Sequence, residues 1–101
     1  MDLPEAKAQL TAIRDNLPAD YSMNSARKLM SSFENYRQIS QALGRSLTRI
    51  KSGIRPDFEE IERGIRIAIK GTPKKTAESA FILAKRQITD DINNILAVDR
   101  E

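Results

Sequence analysis

The sequence predicts an all-α fold, an antiparallel up-down bundle of four helices in which two are long and two are short. Three observations predict it. Apolar residues recur in steps of three and four along most of the chain, and no stretch alternates with period two long enough to make a strand. The prolines, Pro4, Pro18, Pro56 and Pro73, stand at the edges of these periodic segments, where a fixed φ and a missing N–H do least harm. The chain's 101 residues, 40% apolar and 31% charged, suit one globular domain spanning 1–101.

The first helix is predicted from Leu3 to about Leu17. Leu3, Ala6, Leu10, Ile13 and Leu17 form the seam of a helix packed on one side. Asp2 is placed to cap it, with Glu5 three residues on, and Pro18 disfavours helical geometry at Leu17. The second helix is expected to start near Ser25, capped by Asn24 or Ser25. Its seam, Ala26, Leu29, Phe33, Tyr36, Ser40, Leu43, Leu47, Ile50 and Ile54, keeps register for about 28 residues, or roughly 42 Å. Gly44 lies inside it at a cost of about 1 kcal/mol. The unbroken register favours a continuous helix, and a kink at Gly44 would instead give a fifth helix. Ser52 and Gly53 supply the stop.

The third helix is predicted over Phe58–Lys70, with Asp57 and Glu60 at capping-box spacing and Gly71 just past the end. Phe58, Ile61, Ile65, Ala68 and Ile69 form its core face. The fourth is expected to open with Thr72 as N-cap and Pro73 as its first residue and to run to about Val98. Its inner face reads Ala77, Ala80, Phe81, Ala84, Ile88, Ile92 and Ile95. Short loops force consecutive helices to run antiparallel.

Composition excludes whole classes of chemistry. There is no Cys and no His, which removes disulfides, Cys/His zinc sites, thiol nucleophiles and triads with an imidazole base. Di-metal bundle sites built on Glu-x-x-His cannot form, and no cofactor is expected. The carboxylates of Asp57, Glu59 and Glu60 are explained by capping, and Asp90 and Asp91 by pairing with Lys85 and Arg86. The segment GTPKKT lacks the G-x-x-x-x-G-K-[ST] pattern of a phosphate loop. An enzyme is therefore not expected. The longest apolar run, Ala80 to Ala84, is far short of the roughly 20 residues of a membrane span. The absence of an export signal and a span leads to the expectation of a cytoplasmic protein without integral membrane association.

The net charge of +3 is unevenly spread. Residues 21–56 carry Arg27, Lys28, Arg37, Arg45, Arg49, Lys51 and Arg55 against Glu34 alone. Arg45, Arg49, Lys51 and Arg55 form a basic cluster with two readings. Cations near a helix C-terminus complement its dipole, and Glu59, Glu60 and Glu62 could neutralise them; alternatively, they dock an acidic protein or a phosphate backbone. Lys74 and Lys75 sit where the helix dipole already favours an anion, so they are either an anion site with Thr72 and Thr76 or simply solvated. Helix-turn-helix recognition of DNA is disfavoured, since Asp57, Glu59 and Glu60 give the third helix the wrong sign.

The size and helix count resemble those of small bacteriocin-immunity bundles and of small assembly or secretion chaperones. The stretch ARKLMSSFENYR is similar to a helix of the photosystem II assembly lipoproteins, but the aromatic, His-containing signature that follows there is missing, and no residue role carries over. The sequence thus points to a non-enzymatic interaction module binding another protein. The alternative is a small nucleic-acid-associated protein making non-specific phosphate contacts. The fourth helix also has more apolar residues than one buried stripe needs: Ile82, Leu83 and Leu96. These are self-association candidates, and a homodimer through this helix is expected.

Overall fold

The computed structural model describes residues 2–43 and 57–97, which form four helices and no strand. They are α1 (Leu3–Asp15), α2 (Met23–Ala42), α3 (Phe58–Lys70) and α4 (Lys74–Leu96). The expected continuation of the second helix through Gly44 to Ser52, its kink and a fifth helix, and Val98 lie outside the described residues.

The helix ends follow from local chemistry. At α1, Asp2 accepts from the Glu5 amide at 2.9 Å, satisfying one of the amides that a helix start leaves without an intrahelical partner. The helix closes at Asp15 with Asn16 as C-cap, two residues before the predicted end. The Asn16 backbone N–H and Nδ2 both donate to Ala12 O, at 3.1 and 2.7 Å, so the asparagine ends the helix before Pro18 acts. At α2 the cap is Ser22, not Asn24 or Ser25. Its Oγ accepts from the Ser25 amide at 3.0 Å and donates to Ser25 Oγ at 3.0 Å, so the capping hydroxyl satisfies an orphan amide and is itself held by the hydroxyl three residues on.

Asp57 caps α3 as its spacing predicts, accepting from the Glu60 amide at 3.0 Å. Gly71 ends that helix at φ 82°, a left-handed conformation that only glycine adopts without steric penalty. The start of α4 departs from expectation. Pro73 is its N-cap, with extended dihedrals (φ −66°, ψ 149°), and the helix begins at Lys74. Thr72 then stands one residue too early to cap, and no side chain does so.

A common core joins all four helices. Ala6 and Leu10 of α1, Ala26, Leu29, Phe33, Tyr36 and Ile39 of α2, Ile61, Ile65 and Ala68 of α3, and Ala77, Phe81, Ala84, Ile88, Ile92 and Ile95 of α4 are all buried. α4 packs against α1, α2 and α3, and α2 likewise meets the other three. That triple contact is why Ile39 and Ser40 are both buried, a wider stripe than a seam for one neighbour requires. Gly64 of α3 faces α4, where an added Cβ would stand 3.7 Å from Ala80 O and Ala84 Cβ. Phe33, Tyr36 and Phe58 form an aromatic cluster with centroids 5.7–6.3 Å apart, in the tilted and edge-to-face geometries that aromatic quadrupoles favour.

Candidate functional site

α4 carries two chemically different faces. Its inner stripe, Ala77, Phe81, Ala84, Ile88, Ile92 and Ile95, is sealed in the core. On the opposite side, Lys75, Ser79, Ile82 and Arg86 step 4-3-4 along the helix and are all exposed. Ile82 is 51% and Leu83 50% exposed, side by side in a surface that is otherwise polar. Adjacent large apolar side chains left in water cost roughly 25 cal/mol per Å² of apolar area. The inner stripe already supplies this helix's share of the core, so folding gives no account of Ile82 and Leu83. A shallow, open depression beside Leu83 is lined by Lys75, Thr76, Ser79, Ala80 and Leu83.

The remaining candidates fall out as follows. Leu96 is partly buried and packs against the core, so it presents less apolar surface than Ile82 and Leu83 do. Lys74 and Lys75 are exposed in the first turn of α4, with Thr72 and Thr76 exposed beside them. Arg45, Arg49, Lys51 and Arg55 lie outside the described residues. Glu62, one of the acids expected to face that cluster, makes ion pairs with Arg66 at 2.6 Å and with Arg37 at 3.6 Å. Arg37 also stands 5.3 Å over the Phe33 ring one turn back on the same helix, a cation–π contact within α2, and its ion pair with Glu62 is what reaches across to α3. Among the described residues no cluster of three or more acidic side chains is arranged to hold a metal ion.

One polar contact escaped the sequence reading. Tyr36, fully buried on α2, donates its hydroxyl to Asp91 Oδ2 of α4 at 2.5 Å. Asp91 is therefore committed across the interior, and the expected pairing with Lys85 or Arg86 is not what holds it. Lys85 Nζ instead donates to Ala19 O at 3.2 Å. Burial raises the Tyr36 pKa far above its ordinary value, reinforced by the hydrogen bond and the charge of Asp91. Burial also raises that of Asp91, while the Tyr36 hydrogen bond pulls it down. A buried phenol that donates to a partly accessible carboxylate on another helix is a structural tie between helices. The signal was present in the sequence: a tyrosine on an apolar seam needs a partner for its hydroxyl, and Asp91 borders the stripe of Ile88 and Ile92.

Two smaller ties act in the same way. Arg14 Nη1 donates to Asn93 Oδ1 at 2.8 Å between α1 and α4. Tyr21 donates to Ala68 O at 2.8 Å and stacks edge-on against Phe81 at 5.5 Å, anchoring the loop before α2. No described helix is long and apolar enough to cross a membrane. No family model matches the sequence, and no curated protein or solved structure is significantly similar to it.

Proposed function

We propose that this protein is a non-enzymatic helical interaction module, of the accessory, adaptor, assembly or immunity type, that binds a macromolecular partner through the outer face of α4. The observation that carries this reading is the pair Ile82 and Leu83, both about half exposed on the face opposite a complete core stripe. Apolar surface that folding leaves uncovered, rimmed by polar residues, is the usual mark of an interface. The four helices are proposed to run up-down and antiparallel; the short connections over 16–22 and 71–73 support that arrangement.

The test is capture from a source-cell extract with tagged wild-type protein and with the Ile82→Glu, Leu83→Glu double variant, each with and without nuclease. Partners held by this face survive nuclease and disappear with the double variant. Because both positions are exposed, the variant should keep its stability within about 0.5 kcal/mol. The same captured proteins with both forms would refute the reading. Capture lost to nuclease would favour phosphate contacts through Arg45, Arg49, Lys51 and Arg55, for which the log–log salt slope should lie near about −3 to −4.

A further inference from the structure

We propose that the occupant of the outer face of α4 is α4 of a second copy of this chain, laid across it antiparallel. The inference rests on the proposed role of that face as an interface and names its partner. The support is the order of charges along the helix. From its N-terminus the exposed face reads cation at Lys74 and Lys75, anion at Glu78, apolar at Ile82 and Leu83, cation at Arg86, anion at Asp90. Reversed end for end, that order becomes its own complement.

A two-fold axis passing between Ile82 and Leu83 places Lys75 opposite the partner's Asp90 and Ile82 opposite the partner's Leu83. A register shifted by one residue places Glu78 opposite the partner's Arg86 and Lys74 opposite the partner's Asp90, so the match does not depend on exact alignment. A parallel pairing would set Lys75 against the partner's Lys75 and Arg86 against the partner's Arg86, which repels. The small Ser79 and Ala80 open the depression beside Leu83, which leaves room for an apolar side chain of the second copy. Lys75, Glu78, Arg86 and Asp90 are all exposed, and none forms an ion pair with another described residue of its own chain. An isologous interface satisfies each pair twice.

Sedimentation equilibrium tests the proposal at loadings from roughly 1 µM to 1 mM, which suit a small interface of weak affinity. The wild-type chain should move from 11.4 kDa towards twice that mass. An acidic variant, Lys74→Glu with Lys75→Glu and Arg86→Glu, leaves only acids on the ring around Ile82. A basic variant, Glu78→Lys with Asp90→Lys, leaves only cations. Each alone should weaken the dimer by about 10- to 100-fold, since two attractive contacts in the first register, or four in the shifted one, become repulsive at roughly threefold each. An equimolar mixture of the two should recover the doubled mass, with circular dichroism confirming that each variant is folded. A wild-type chain of single mass throughout, or a mixture that stays monomeric, overturns the antiparallel self-pairing. If the chain is monomeric yet the Ile82→Glu, Leu83→Glu variant loses its captured partner, the interface stands and only its self-association fails. If neither effect is seen, both fall.

Discussion

Replacing Tyr36 by Phe should destabilise the protein by an amount that grows with pH, and the structure sets both the size and the sign. The Tyr36 hydroxyl is buried and donates to Asp91 at 2.5 Å, and a hydrogen bond to a charged group contributes about 1.5–3 kcal/mol. Asp91 is partly accessible, so water recovers part of that loss and about 1.5–2 kcal/mol is expected near pH 7. Burial, partly offset by the Tyr36 hydroxyl, holds the folded-state pKa of Asp91 above its ordinary value of 3.8. The folded protein therefore keeps its proton at pH values where the unfolded chain has lost it. The contribution of Asp91 to stability is greatest in acid and falls as pH rises from the unfolded to the folded pKa. Tyr36→Phe removes the influence that lowers the pKa, so the fall extends further up in pH. The cost should be about 0.5–1 kcal/mol near pH 3, where a neutral hydrogen bond is lost, and should double towards neutrality. Urea unfolding followed by circular dichroism at the two pH values measures it. Repeating the substitution in an Asp91→Asn background isolates the pair, and there the cost should be about 1 kcal/mol at both pH values. A cost that does not change with pH when Asp91 is present, or that equals the cost in the Asp91→Asn background at both pH values, refutes the coupling.

Glycine substitutions should separate conformation from space. Gly71→Ala should cost about 1–2 kcal/mol in chemical denaturation, because a left-handed φ of 82° is strained for any residue with a Cβ. Met23 Cε, 2.9 Å from the added atom, must also move. Gly64→Ala should go the other way and raise stability by about 0.5–1 kcal/mol, since its Cβ meets only ordinary contacts at 3.7 Å and alanine is the better helix former. A loss above about 1 kcal/mol at Gly64 would mean that α3 and α4 pack more tightly there than these distances show.

The helices and their inner faces were legible in the sequence because a 3.6-residue period is a property of the chain alone. The predicted seam residues Ala26, Leu29, Phe33, Tyr36, Ser40 and Leu43 are all buried, as are Ile61, Ile65, Phe81, Ala84, Ile88 and Ile92. Helix starts were legible where a single acid stands at capping distance, as at Asp2 and Asp57. The start of α2 was not: the expected cap is Asn24 or Ser25, and the cap is Ser22, whose side chain accepts from the Ser25 amide.

Tertiary structure decided what depends on distance through space. Leu96 and Leu83 look equally surplus in the sequence, yet Leu96 reaches the core and Leu83 does not. The angular position of each on the helix relative to three packed neighbours makes the difference. Glu62 goes to Arg37 on another helix as well as to Arg66 on its own, and Asp91 goes to Tyr36, 55 positions away. A carboxylate at a helix surface finds nearby cations by sequence rule, but burial beside an unpaired phenol outweighs them, since a hydroxyl left without an acceptor in the interior costs more than a solvated ion pair returns.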